Sequence, residues 1–265
     1  TDSIPPKTLD VKLKKELTFP GNVVSSELYS GTLFVVDELT GIYRYWVGQS
    51  ENLTEPALLF YGARDIALSE GLVYVAGGEA GIYVYASITP TATLNLIGAG
   101  DTSGTAEALA LVARMGKETI EEPDSSGGHP KTVEVEKIVS STLFVADGAG
   151  GIVVMDVTQP MTPTRMVTIS REGYVHNVLV EDSTLYVSQG VQGWSMVDIT
   201  DPVRYKPLVV FDTNGDVRDI AVNDDYIAVA NGNNGLWVYR NSTDLLKKPQ
   251  VPVVVDIPGF VSNVE

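Results

Sequence analysis

Cysteine is absent from the chain. That excludes disulfides, thiolate catalysis and Cys-based zinc or iron–sulfur centres. Histidine is nearly absent, with two residues in 265. No His-Glu-x-x-His zinc motif and no Gly-x-Ser-x-Gly nucleophile elbow occurs. Basic residues are scarce, 18 Lys and Arg against 34 Asp and Glu, for a formal charge of −16. Phosphate repels so acidic a chain, which argues against nucleic-acid binding. The longest apolar runs, such as Val251 to Ile257, fall far short of the roughly 20 residues of a membrane helix, so no membrane span is expected. No apolar stripe of 3.6-residue period and useful length appears.

A repeat is present instead. Thr32 to Asp37, Leu72 to Gly77, Thr142 to Asp147, Thr184 to Gln189 and Tyr226 to Asn231 match one another. Four residues after each stands a glycine followed by an apolar residue, at Gly41, Gly81, Gly151, Gly193 and Gly235. Successive glycines are 40, 70, 42 and 42 residues apart. The period is therefore about 42, with one insertion of about 28. Within each period, β-branched and aromatic runs alternate with Gly, Asp, Asn and Pro, giving four short strands and tight turns. Prolines such as Pro90, Pro160, Pro202 and Pro249 precede the fourth strands, where a missing N–H is harmless. Four-stranded units of this period without helices predict an all-β fold, a β-propeller of four-stranded blades in one domain. The expected blades lie near residues 22–62, 63–104, 105–172, 173–215 and 216–259, with an inserted hairpin at 114–137.

The stretches Leu143 to Pro163 and Leu185 to Pro202 carry an aromatic-containing strand, a Gly turn, a strand near Val-Met-Asp-Val or Met-Val-Asp-Ile, and a closing Pro. In this they resemble the LVIVD-repeat β-propeller family of bacterial and archaeal surface proteins. The likeness spans roughly Asn22 to Pro258 and is best in the third and fourth repeats. The first and second repeats lack the Asp. The resemblance implies a propeller and an extracytoplasmic setting, at the cell surface or in the periplasm, and supplies no catalytic residues. The absence of Cys and of a leader before Thr1 fits an exported protein.

The chain ends parallel the repeats. Residues 8–21 end in Phe-Pro-Gly as a fourth strand does, and residues 260–265 parallel the start of a first strand at Gly173. Five complete repeats plus a shared, incomplete sixth blade are expected, with the N-terminal strand closing the ring. Five closed blades with overlapping ends is the alternative. The middle strands of that sixth blade are missing, so either the natural chain continues past Glu265 or another segment supplies them.

Two polar positions per blade recur where the inner strands begin. One series is Val24, Arg64, Glu107, His176, Arg218 and Ser262. The next is Ser25, Asp65, Ala108, Asn177, Asp219 and Asn263. Asp and Asn there suit caps that accept backbone N–H groups, and Arg suits pairing across blades. The competing reading is a polar funnel for a ligand or a partner's side chain. Its candidate residues are Arg64, Asp65, Glu107, Tyr174, His176, Asn177, Trp194, Arg218 and Asp219. His129, in the insertion, is expected in solvent. Gly98 to Gly104 has the wrong spacing for a dinucleotide loop and reads as a blade connection. Asp212, Asn214 and Asp216 place oxygens at alternating positions and are weak calcium candidates; no other cofactor is expected.

The function expected is a non-catalytic binding or scaffolding propeller, contacting a protein partner through the inserted hairpin or the incomplete blade, as a subunit of a larger envelope assembly. The alternative is a secreted hydrolase or lyase with Glu107, His176, Arg64 and Arg218 around the axis.

Overall fold

The structure is a computed structural model. It describes residues 17–46, 56–86, 93–122, 131–247 and 250–264. The repeats become five four-stranded antiparallel blades around one axis. Blade one holds β1 (Val23–Tyr29), β2 (Thr32–Asp37), β3 (Gly41–Trp46) and β4 (Leu58–Leu59), and blade two holds β5 (Asp65–Ser69), β6 (Leu72–Ala76), β7 (Ile82–Ala86) and β8 (Asn95–Gly100). Blade three holds β9 (Ala108–Glu122), β10 (Lys131–Ala146), β11 (Ile152–Asp156) and β12 (Thr164–Ile169). Blade four holds β13 (Asn177–Glu181), β14 (Thr184–Ser188), β15 (Trp194–Asp198) and β16 (Lys206–Phe211). Blade five holds β17 (Asp219–Val222), β18 (Tyr226–Ala230), β19 (Leu236–Arg240) and β20 (Val253–Val255). One 3-10 turn at Thr243–Leu246 accompanies them, and no α-helix occurs among the described residues.

The period-42 glycine has a physical cause. Gly41, Gly81, Gly151, Gly193 and Gly235 all have positive φ, between 77° and 121°. A Cβ at any of them would lie closer than 3.0 Å to a carbonyl oxygen of the outer strand, that of Leu58, Gly100, Ile169, Phe211 or Val255. Only glycine adopts that backbone cheaply and leaves room for the outer strand.

Each sheet buries its faces against neighbouring blades. Separate apolar clusters join blades one and two, two and three, three and four, and four and five. A second fastening recurs where one blade passes to the next: antiparallel backbone bridges join Gly78 to Ala106, Gly148 to Val175, Gly190 to Val217 and Gly232 to Val261. The last reaches the C-terminal segment, so Phe260 to Val264 sits where a sixth first strand would begin. Most of the expected N-terminal closing strand, residues 8–16, lies outside the described residues. Residues 17–22 form no strand, although Phe19 packs edge-on to Tyr43 at 5.0 Å. Among the described residues there is no sixth sheet.

The insertion extends the first two strands of blade three as a twisted ribbon, paired from Ala108–Ala146 out to Glu122–Lys131. Its tip, residues 123–130 with His129, lies outside the described residues. Lys117 and Glu134 pair across the ribbon at 3.2 Å, and Lys137 pairs with Glu118. Arg114 donates to the Thr200 carbonyl of blade four at 3.1 Å, bracing the ribbon's base.

Candidate functional site

The first strands of all five blades, with Ser262 to Val264, line one axial cavity of about 570 Å³. Innermost strands have an unpaired edge, and the second polar series satisfies part of it. Asp65 accepts the Leu109 N–H of blade three at 2.8 Å and the Ser25 hydroxyl of blade one at 2.5 Å. Asp219 repeats the device: it accepts the Val264 N–H at 2.9 Å and the side-chain amide of Asn177 in blade four. Each carboxylate accepts a backbone N–H of the following segment and a side-chain donor of the preceding blade, whereas Asn177 donates to Asp219 and not to a backbone group. Ala108 and Asn177 interrupt the carboxylates, so blades three and four are tied differently.

That tie runs through the first polar series, at the mouth. The Tyr174 hydroxyl of the blade three–four connection donates to Glu107. Arg64 of blade two approaches the other Glu107 oxygen at 4.0 Å. The Tyr174 ring lies 4.7 Å from the His176 ring. His176 stands between Arg218, 3.4 Å from its Nδ1, and Asp216, 3.9 Å from its Nε2. Arg218 also donates to Asp216 at 2.6 Å and lies over the Phe260 ring, 5.5 Å from its centre. A continuous belt thus runs from Arg64 to Phe260 across four blade junctions. Burial and then the neighbouring Arg218 guanidinium hold the His176 imidazolium below its ordinary pKa, so the ring is neutral near pH 7.

Seven of the nine candidates, Arg64, Asp65, Glu107, His176, Asn177, Arg218 and Asp219, line the cavity, and Tyr174 joins them through Glu107 and His176. Trp194 does not. It is fully buried, stacked on Phe211 at 4.2 Å, in the core between blades four and five. This corrects the expectation for Trp194. The residue after the turn glycine opens the third strand and faces the next blade, as Ile42, Ile82 and Ile152 do, each 0% exposed. The calcium candidates disperse. Asp212 caps the Asn214 N–H at 2.9 Å, the Asn214 carbonyl accepts from Asn234 at 2.8 Å, and Asp216 belongs to the belt. Among the described residues no three His, Asp or Glu side chains are grouped to hold a metal. The Gly98 to Gly104 stretch runs from β8 into the blade two–three connection, as its spacing implies.

Sequence reasoning misses Glu27. It lines the cavity near Asp65, and its carboxyl is pushed up to about 7 by burial first and by the Asp65 charge second, against an N–H from Leu68. Asp65 is itself pushed up to about 6 by burial, against its hydrogen bonds, with the Asp219 charge adding to the rise. A signal is present in the repeat: the equivalent positions in the other blades are Ala67, Ala110, Leu179 and Ala221, each opposite the matching residue of the second strand.

With this geometry in view, comparisons with known proteins are informative. The LVIVD repeat matches the chain at residues 62–84, 142–169 and 214–238, in blades two, three and five, consistent with an LVIVD-repeat propeller family. The fourth repeat, expected to match best with the third, is not among these spans. No curated protein matches the chain. Among solved structures, the computationally designed Ika8 protein is similar in fold alone, at TM-score 0.50 and 12% identity, covering 82% of this chain and 70% of that one. The computationally designed Ika4 protein gives TM-score 0.48 at 11% identity, covering 68% of this chain and 91% of that one.

Proposed function

We propose that this chain is a non-catalytic binding and scaffolding propeller, exported to the periplasm or cell surface, where it works as a subunit of a larger envelope assembly. One observation carries the reading. The groups that acid–base chemistry would need at the mouth are committed to one another: Glu107 to Tyr174 and Arg64, His176 to Arg218 and Asp216. Such a belt fixes the blades and presents a shaped polar rim. A general base must instead be within reach of a substrate proton. Arg64 and Arg218 serve the belt while keeping part of their side chains exposed, and with the projecting ribbon of blade three they are the elements a partner would meet. No helix among the described residues is long and apolar enough to cross a membrane. The extracytoplasmic setting rests on the LVIVD resemblance, and the lack of cysteine is compatible with it.

A second reading, a secreted hydrolase or lyase, draws on one feature. Glu27 and Asp65 are adjacent carboxyls with raised pKa in a cavity, the kind of pairing that serves acid–base work. One experiment separates the two. Envelope partners retained by the wild-type protein should be lost by Arg64→Glu/Arg218→Glu or by replacing residues 115–138 with a tight turn. Turnover of an envelope polymer that His176→Ala, Glu107→Gln or Glu27→Gln abolishes would contradict the binding reading.

A further inference from the structure

Three asparagines in the chain precede a glycine: Asn214, Asn231 and Asn234. Such a pair carries its own nucleophile. No side chain shields the glycine nitrogen, and its approach to the Asn amide carbon is an intramolecular step. The fold treats the three pairs differently. Asn231 follows β18 and is fully buried. Its side-chain oxygen accepts the Thr213 hydroxyl at 2.9 Å, its amide donates to the Thr213 carbonyl at 3.4 Å, and the Gly232 N–H donates to the Val261 carbonyl at 3.1 Å. Asn234 is exposed, but its amide donates to the Asn214 carbonyl at 2.8 Å, and the Gly235 N–H donates to the Gly232 carbonyl at 3.4 Å. At Asn214 neither lock is present. The side chain is exposed and makes no hydrogen bond among the described residues, and the Gly215 N–H donates none. Only the main chain of Asn214 is held, by its N–H to Asp212 at 2.9 Å and by its carbonyl to Asn234. Glycine is imposed at 215, because a Cβ there would lie 2.1 Å from the Asn231 Oδ1.

We infer that Asn214 is a site of spontaneous deamidation, selected from the three by the fold. The Gly215 nitrogen attacks the Asn214 Cγ, and the new C–N bond closes a succinimide ring. The side-chain nitrogen leaves as ammonia and takes the glycine proton with it. Water then opens the ring. Breaking the bond to Cγ gives aspartate. Breaking the bond to the main-chain carbonyl carbon gives isoaspartate, whose main chain is longer by one methylene. Asn231 and Asn234 must first open the bonds that hold them, and local opening costs free energy. Asn214 lies in the blade four–five connection, two residues before Asp216, which holds Arg218 at 2.6 Å and faces His176. The product adds a carboxylate beside that belt, so the rim of the mouth changes with the age of the molecule. The equivalent pair in the blade two–three connection is Ser103-Gly104. Ser103 shares the left-handed backbone, φ 69° against 50° at Asn214, and its N–H donates to Asp101 at 3.0 Å. That junction builds the same turn without a reactive amide.

The test follows the full chain through incubation in mildly alkaline buffer. Peptide mapping by mass spectrometry reads each Asn-Gly pair, and enzymatic methylation detects isoaspartate. Asn214 should convert first, at least about tenfold faster than Asn231 or Asn234, because each of those must give up at least two hydrogen bonds. Isoelectric focusing should show an acidic form that accumulates with time. Asn214→Ser, which copies the Ser103 turn, should remove that form. In the urea-unfolded chain the three pairs should convert at comparable rates, since only the fold distinguishes them. Equal rates in the folded chain would overturn the inference, as would faster conversion at Asn231 or Asn234. An Asn214 that stays intact when folded but converts when unfolded would overturn it too. So would the same order of rates in the unfolded chain, because the sequence rather than the fold would then make the choice. None of these outcomes bears on the binding reading, which rests on the belt and the ribbon.

Discussion

Blades two to four and blades one and five are built from the same repeat, yet they are not equally protected. In the interior blades the matched second strand and the strand after the turn glycine are almost wholly buried: Val73, Leu143 and Leu185 are within 1% of complete burial, as are Ile82, Ile152 and Trp194. In blade one the equivalent Leu33 is only half-buried, and in blade five so is Leu236. The difference teaches that burial here is a property of having two neighbours. Sequence patterning makes every blade two-faced, and the outer faces of the end blades are only partly covered: Val253 is exposed on blade five, and on blade one Leu28 and Leu59 are exposed while Val35 and Tyr43 of the same face are buried. The hydrophobic term, roughly 25 cal/mol per Å² of apolar surface removed from water, is therefore realised fully only in the interior.

That comparison can be broken first at one repeat position. Trp194→Ala should cost about 3–5 kcal/mol, the usual range for truncating a buried aromatic, whereas Leu236→Ala should cost about 1 kcal/mol because its face is already wetted. Chemical denaturation of both variants checks this, and equal losses would mean that blade five is as enclosed as blade four. Next comes the turn glycine. Gly193→Ala meets both a positive φ and the Phe211 carbonyl in a packed blade, and should cost about 3 kcal/mol. At Gly235→Ala the same clash is with Val255 of the exposed β20, which is freer to move, so about half that loss is expected.

The axial carboxyls give a pH test of the same scale. The folded-state pKa of Glu27 lies at about 7, above its ordinary 4.5. The folded protein therefore holds this proton more tightly than the unfolded chain does. Its stabilising effect is complete below about pH 4.5 and is lost as pH rises towards 7. Stability should fall across that window by about 1–3 kcal/mol, and Glu27→Gln should shrink the fall at its upper end, leaving the lower part that Asp65, pushed up to about 6, contributes. A profile that falls equally in the variant would locate the titration elsewhere. Smaller still, Asp219→Ala should release Val264 and cost about 1–2 kcal/mol, seen as faster exchange of the Val264 amide. Least of all, Lys117→Ala on the exposed ribbon should change stability by less than about 0.5 kcal/mol.

Most of the fold and part of the axial site are legible in the amino-acid sequence. Gly41, Gly81, Gly151, Gly193 and Gly235 mark the blades because a positive φ beside a carbonyl leaves no substitute, and that constraint is written into one chain position. Arg64, Asp65, Arg218 and Asp219 are legible as axial because they recur with the repeat. Trp194 misleads because an aromatic that departs from a row of Ile and Leu looks like a site residue, while its direction depends on the neighbouring blade. Glu27 escapes for the opposite reason. It is a single charge in a row of Ala and Leu, and its meaning comes from meeting Asp65 of the next blade, a contact across 38 positions that no local pattern encodes. Asp216 groups with Asp212 and Asn214 by spacing, yet the chain turns it away from them to Arg218. Register within a blade is local and readable; the pairing of one blade's side chains with the next is not.

The most direct test of the difference between end and interior blades is residue-resolved amide hydrogen exchange on the full chain, comparing β19 and β20 with β15 and β16. Both pairs are antiparallel, over three residue pairs in blade five and five in blade four, so the comparison is made at Leu236 to Val238 against Trp194 to Met196, which are paired in both. Protection in blade five should be at least about a hundredfold lower, equivalent to about 2.7 kcal/mol in opening free energy. Equal protection in the two blades would contradict the claim that the end blade is less enclosed than the interior one.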